Sequence, residues 1–305
     1  MPAGRAVLTV IFAVAAAICN ALASILQRRG AGDVPESKSM HWALIVAVLH
    51  RPIWLLGLLA MCGAFVFQAA ALSNGDLALV QPVLLAELPV TLLLAPLFFD
   101  VAAGRRAWIG VVGMSMGLAA VLAAASPGGG HASAGLVAIL LTLASTGGLT
   151  AVLVVLALRL EGSPRAVVFG TAAGTGFALT AALMKQAMGT LSSSGVGALL
   201  STWSFWVMVV VGAASLFIWQ NALQAGTLIA AQPAITLSDP VLATVIGVLV
   251  FGERIRLGGW LALEVVGALV VAVASVELAR SPLISGEGLP TSAPQQDQET
   301  QPDLL

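Results

Sequence analysis

The chain contains no tyrosine, two cysteines and three histidines, and only 9% of its 305 residues carry a charge. Each shortage excludes something. Cys19 and Cys62 both sit inside apolar runs, so they read as small packing residues and give neither a disulfide framework nor a metal-ligand spacing. His41, His50 and His131 fall outside those runs, which disfavours an intramembrane Ser/His protease. The thirteen Lys and Arg make no basic cluster beyond Arg28-Arg29 and Arg105-Arg106, so nucleic acid is not an expected partner. No P-loop or dinucleotide fingerprint occurs; any pumping draws on a gradient, and no cofactor is expected. Gly113-Met114-Ser115-Met116-Gly117 fits the GxSxG pattern, but a nucleophile elbow needs a strand, a turn and a helix. Here it lies within one apolar run, where small residues four apart serve helix packing. The chain is therefore not expected to be an enzyme.

What is present is apolar: 59% hydrophobic residues and a mean hydropathy of +1.02. Runs long enough to cross a bilayer, about 20 residues, occur at roughly 6–27, 53–72, 78–99, 107–125, 135–158, 166–188, 203–223, 227–251 and 257–278. Met40–His50 is apolar but short, and reads as an interfacial or re-entrant helix. With nine spans, the basic residues split nine against four between the two faces, counted from the sequence. The positive-inside rule then places the N-terminus outside and the C-terminus in the cytoplasm, across a plasma (inner) membrane. Making 40–50 a span reduces the split to seven against six. Trp54, Trp108, Trp203, Trp206, Trp219 and Trp260 fall at or near span ends, as an interfacial belt does. Ala21-Leu22-Ala23 resembles a signal-peptidase site, but the apolar run continues past it to Leu26. The stretch after Arg280 is polar, Pro-rich and acidic, and is expected to be disordered. The fold class expected is an all-α polytopic membrane protein.

Three acids interrupt the runs. Glu87 and Asp239 lie mid-run with no basic residue beside them, and Glu264 lies nearer one surface. A carboxylate at that depth must stay protonated or meet a mobile cation, which is transporter chemistry. For Glu264 a structural or gating role competes with ligand contact. Lys185, near the end of its run, is expected to snorkel to the interface.

The chain also repeats itself. Leu72, Gly75, Leu77, Gln81, Pro82, Pro89 and Val90 match Leu223, Gly226, Leu228, Gln232, Pro233, Pro240 and Val241 at a constant shift of 151 residues. Five spans separate equivalent helices, and an odd number reverses their direction, so the copies form an inverted repeat. Four spans in 1–126 and five in 135–278 make the halves, with 127–134 as linker and 279–305 as tail. Pro82, Pro89 and Pro96, and Pro233 and Pro240 in the second copy, recur every seven residues and so share a helix face. An interior proline frees the carbonyl four residues earlier: Leu85 beside Glu87, and Thr236 beside Asp239, with Ser238 next to it. Two kinked helices with carboxylates at the kinks are thus expected to meet near the midplane. Gln81 and Gln232, matched between the copies, are candidates to line the same cavity. Asn20, Gln68, Gln220 and Asn221 are deep polar residues that either join them or hydrogen-bond between helices.

These residues resemble the drug/metabolite transporter superfamily (DMT, EamA-like), and within it the NIPA-type magnesium-transporter branch. The likeness rests on Ile25-Leu26-Gln27-Arg28-Arg29-Gly30, Arg51-Pro52-Ile53-Trp54-Leu55-Leu56-Gly57, the stretch Asn74–Pro82, Gln220-Asn221-Ala222-Leu223 leading to Gln232-Pro233, and Phe251-Gly252-Glu253-Arg254 followed by Gly258-Gly259-Trp260. The resemblance implies an inverted-repeat fold working by alternating access. Its cargo would be a divalent cation such as Mg²⁺ held by Glu87 and Asp239, or an organic metabolite or drug with proton coupling. Asp239 is itself a departure from that branch. Expected partners are the bilayer and the cargo, with a homodimer left open. The alternative is a non-transporting membrane scaffold, which leaves the matched acids and prolines without a purpose.

Overall fold

In lipid every backbone N–H and C=O must be satisfied internally, so continuous apolar runs fold as helices. The computed structural model describes residues 3–32, 52–98, 104–226, 228–256 and 258–280. The segment expected at 40–50 and the tail beyond Arg280 lie outside them. The helices are α1 (Ala3–Gly32), α2 (Pro52–Asn74), α3 (Leu77–Leu84), α4 (Glu87–Phe98), α5 (Arg105–Ala125), α6 (Leu136–Ala157), α7 (Gly162–Ser201), α8 (Trp203–Ala225), α9 (Leu228–Phe251) and α10 (Gly259–Ala279). α3 and α4 are two halves of one crossing, so the described residues make nine apolar spans. Side chains such as Leu59, Leu97, Phe217 and Leu249 are 67–77% exposed. A water-soluble surface avoids a continuous belt of this kind. The chain is an all-α polytopic membrane protein.

α7 is the buried axis of the bundle, and its small residues are the reason. Gly170 touches the Ala231 carbonyl of α9, Gly174 touches Ser238 and the Asp239 amide, and Gly176 touches Ser215 of α8. The helix runs beyond the apolar segment ending near 188, to Ser201, with a kink at Gly195 where φ is +80°. Only glycine takes that conformation freely.

Packing follows the sequence repeat. α1 lies chiefly on α2, as α7 lies on α8, and α1 meets α4 as α7 meets α9. α6 has no counterpart and packs on α7. α5 and α10, equivalent in the repeat, cross one another in opposite directions. A Cβ on Gly117 would lie 2.9 Å from the Gly267 carbonyl and 3.0 Å from the Val271 amide. A Cβ on Gly267 would lie 3.0 Å from the Gly117 carbonyl and 3.1 Å from the Val121 amide. Each contact is the other's mirror at a shift of 150 residues, so the local two-fold axis passes between the two glycines. The GxSxG serine motif is thereby accounted for: Gly113 and Gly117 face α10, and Ser115 is exposed. Gly117→Val is expected to force these backbones apart and cost about 1–3 kcal/mol or more. Gly267→Val should match it in a detergent unfolding titration; a large effect from one glycine alone would contradict the two-fold contact.

Two expectations need correction. The two kinked helices expected from the matched prolines are not alike. The first copy breaks at Leu85-Ala86, but α9 is one helix from Leu228 to Phe251 with Pro233 and Pro240 inside it. Nor is the Leu85 carbonyl left free: the chain tightens to i,i+3 bonding, and Leu88 N–H donates to Leu85 O at 3.2 Å. Pro96 is exposed near the end of α4, away from the break.

Candidate functional site

The break between α3 and α4 puts Glu87 in the first turn of α4, and α9 carries Asp239 to within Coulombic reach of it. The Asn20 side chain of α1 lies beside the Glu87 carboxyl. Asp239 Oδ1 and the adjacent Ser238 Oγ are sealed from solvent without a hydrogen-bond partner. Ser238 and the Asp239 backbone pack on Gly174, where any larger residue would fill the space. Both carboxylate residues keep partial exposure, and neither forms a salt bridge among the described residues. Two acids from opposite repeat halves, an amide, a buried hydroxyl and a helix break therefore converge on one place.

The remaining candidates divide. Gln81 is buried in α3, and Gln232 donates to Thr236 Oγ1 at 3.4 Å. Gln68 is half-buried, Gln220 is exposed, and Asn221 returns its amide to the Phe217 carbonyl at 2.8 Å. Glu264 and Thr236 line a different cavity, together with Pro82 and Pro240. α9 is the wall between the two places: Thr236, Pro240 and Thr244 recur every four residues on one face, while Ser238 faces Gly174 on another.

Lys185 does not snorkel. It is 2% exposed, and its ammonium lies 2.6 Å from Glu253 Oε1 and 3.5 Å from Asp76 Oδ1, over the Phe251 ring at 5.0 Å. A lysine at the end of a run reaches the interface only when no anion lies closer; here two do. Asp76 occupies the N-cap position of α3 but does not cap it. Its Oδ1 accepts instead from Gly130 N–H at 3.2 Å, and the cap is supplied by Glu253, which accepts from Leu77 N–H at 2.6 Å and Ala78 N–H at 2.9 Å. The positive end of α3 thus offsets the excess negative charge of two carboxylates on one ammonium.

Backbone pairing closes over this cluster. Gly128 and Arg254 exchange hydrogen bonds of 3.1 and 2.8 Å, His131 N–H donates to Phe251 O, and Gln186 holds Ala134 through both its amide atoms. The 127–134 linker is therefore the lid of one end of the bundle. At the 151-residue shift the counterparts of Asp76 and Glu253 are Thr227 and Ala102, so the repeat offers no matching acids for the opposite end.

Among the described residues, nine apolar spans around buried, partly unsatisfied polar and charged groups define a polytopic membrane protein with a polar interior. No family model and no solved structure matches the chain. It is 27% identical over 279 residues to an uncharacterized protein of Corynebacterium glutamicum, an alignment covering 90% of this chain and 95% of that one.

Proposed function

We propose that the protein is a secondary transporter of the drug/metabolite transporter type, resembling the NIPA-like branch. It moves a small cation by alternating access through the Glu87–Asp239 site. The supporting observation is the convergence of two carboxylates, one from each repeat half, beside a helix break and without a basic partner, while Lys185 is committed to Asp76 and Glu253. Among the described residues no three His, Cys, Asp or Glu side chains group as a metal site. A hydrated divalent cation suits that limit, because Mg²⁺ keeps several waters and needs one or two carboxylates. A site with only two acids equally suits an organic solute with proton coupling, which is the second reading. The Asp76–Lys185–Glu253 cluster closes the external end in this arrangement.

The test is transport by protein reconstituted in liposomes. Each carboxylate costs about 2.5–3.5 kcal/mol at the bilayer centre on insertion scales, so Glu87→Gln and Asp239→Asn should insert normally. Both are expected to abolish uptake. A Mg²⁺ carrier should also lose its Mg²⁺-dependent thermal stabilisation, whereas a proton-coupled carrier should lose the pH dependence of transport. Wild-type uptake by both variants would remove the central site.

A further inference from the structure

The geometry points to a binding site for one anionic glycerophospholipid, with its phosphate among Arg105, Arg106 and Arg280 and one acyl chain in the groove between α5 and α10. That groove has a volume of about 300 Å³ and opens towards the lipid, where Ile109 and Val273 on its walls are 54% and 65% exposed. Two small residues keep it open: a Cβ on Gly113 would lie only 3.3 Å from the Ala274 Cβ, so neither side chain fills the space above them. Among the described residues its lining is apolar apart from Glu277. Gly110 packs on Leu278 as Gly117 packs on Gly267. The start of α5 and the end of α10 therefore lie at one membrane face.

Charge and length specify the occupant. Arg105 and Arg106 lie four and three residues before Ile109, on the groove side of the first turn of α5, and both are exposed. Arg280 follows the last turn of α10, where Glu277 accepts from its Nη1 at 3.0 Å. One bond leaves most of the five guanidinium donors for a ligand. Among the described residues three cations thus face one carboxylate at the rim, beside the exposed indole of Trp108, an anchor of headgroup level. The groove beneath favours a lipid over a free anion. From Glu277 to Val266 its lining runs eleven residues along α10, about 16 Å at 1.5 Å per residue. One leaflet of a hydrocarbon core of about 30 Å is about 15 Å deep. The groove therefore starts among the headgroups and stops near the midplane, as an acyl chain does. Basic pockets between spans at the cytoplasmic surface are where anionic headgroups bind, and this is the face that the charge split assigns to the cytoplasm. α5 belongs to the first repeat half and α10 to the second, so the lipid touches both. The site does not depend on what the protein transports.

The test is native mass spectrometry of the purified full chain in detergent, titrated with dioleoylphosphatidylglycerol or with dioleoylphosphatidylcholine, whose acyl chains are the same. One phosphatidylglycerol is expected to bind saturably, more tightly than phosphatidylcholine, and to resist an excess of glycerol 3-phosphate. Arg105→Gln/Arg106→Gln should weaken phosphatidylglycerol about ten- to thirtyfold, the effect of two basic residues at a membrane surface, and leave phosphatidylcholine unchanged. Val270→Trp, which fills the groove but keeps the arginines, should weaken both lipids. Arg159→Gln, at the same face but beyond α6, should change neither. Equal affinity for the two lipids, displacement by glycerol 3-phosphate, or unchanged phosphatidylglycerol binding in the double arginine variant or in Val270→Trp would each overturn the proposal. A matching loss in Arg159→Gln would reduce the effect to general surface charge and overturn it equally.

Discussion

Replacing Lys185 with methionine is expected to destabilise the protein by about 3–5 kcal/mol, the usual consequence of removing one partner from a buried ion pair. The ammonium is the only cation within reach of Glu253 Oε1 and Asp76 Oδ1 among the described residues, at 2.6 and 3.5 Å. Without it, two carboxylates share a dry site, and Asp76 Oδ2 already lacks a partner. Methionine keeps the stem's packing, so the loss reports on charge rather than on volume. Glu253→Gln should cost less on its own, because its remaining oxygen still accepts from the first amides of α3. The double variant should recover part of the Lys185→Met loss, giving a coupling energy readable in a double-mutant cycle. An unfolding midpoint unchanged by Lys185→Met would show that the cluster holds nothing together.

Locking the same end shut is expected to reduce transport to background without harming the fold. Gly128 and Arg254 exchange both backbone hydrogen bonds, so they form an antiparallel hydrogen-bonded pair with Cα atoms about 5.5 Å apart. That lies within the span of about 4.4–6.8 Å that a disulfide bridges. A Cβ added at Gly128 meets no atom within 4 Å, and Arg254 is exposed. With Cys19 and Cys62 replaced by alanine, Gly128→Cys/Arg254→Cys should transport when reduced, stop when oxidised, and resume with dithiothreitol. Full transport by the oxidised protein would mean that this end stays closed throughout the cycle, against alternating access.

The apolar runs located the nine spans found among the described residues, because in lipid a run of that length satisfies its own backbone as a helix. The seven matched positions also anticipated the contact of α3 with α9. The central acids stood out for the simple reason that nothing basic lies near them in the chain. Lys185 was misread because its partners are tertiary: Glu253 is 68 residues away, and Glu253 in turn bonds an amide 176 residues away. A signal did exist, since nine spans bring Asp76, Lys185 and Glu253 to one membrane face. The difference between the broken first copy and the continuous α9 was not legible, because both carry Gln-Pro and a second proline seven residues on. Glu264 was placed nearer one surface, with ligand contact left open, because depth along a helix is readable from sequence, whereas the direction a side chain faces depends on which neighbours the helix meets.

The eight residues of α3 form a strut about 12 Å long, at 1.5 Å per residue. One end is clamped by the Glu253 carboxylate on Leu77 and Ala78, and the other ends at the break just before Glu87. A strut of that length turned by about 10–15° at the break moves its far tip by about 2–3 Å, enough to part hydrogen bonds of 2.6 and 2.9 Å. On the transport function proposed above, α3 is a lever with the Glu87–Asp239 site at its fulcrum and the lock at its tip. The force that opens the lock has to come from the difference in cargo affinity between the two positions of the lever, and a molecule held equally well in both leaves it shut.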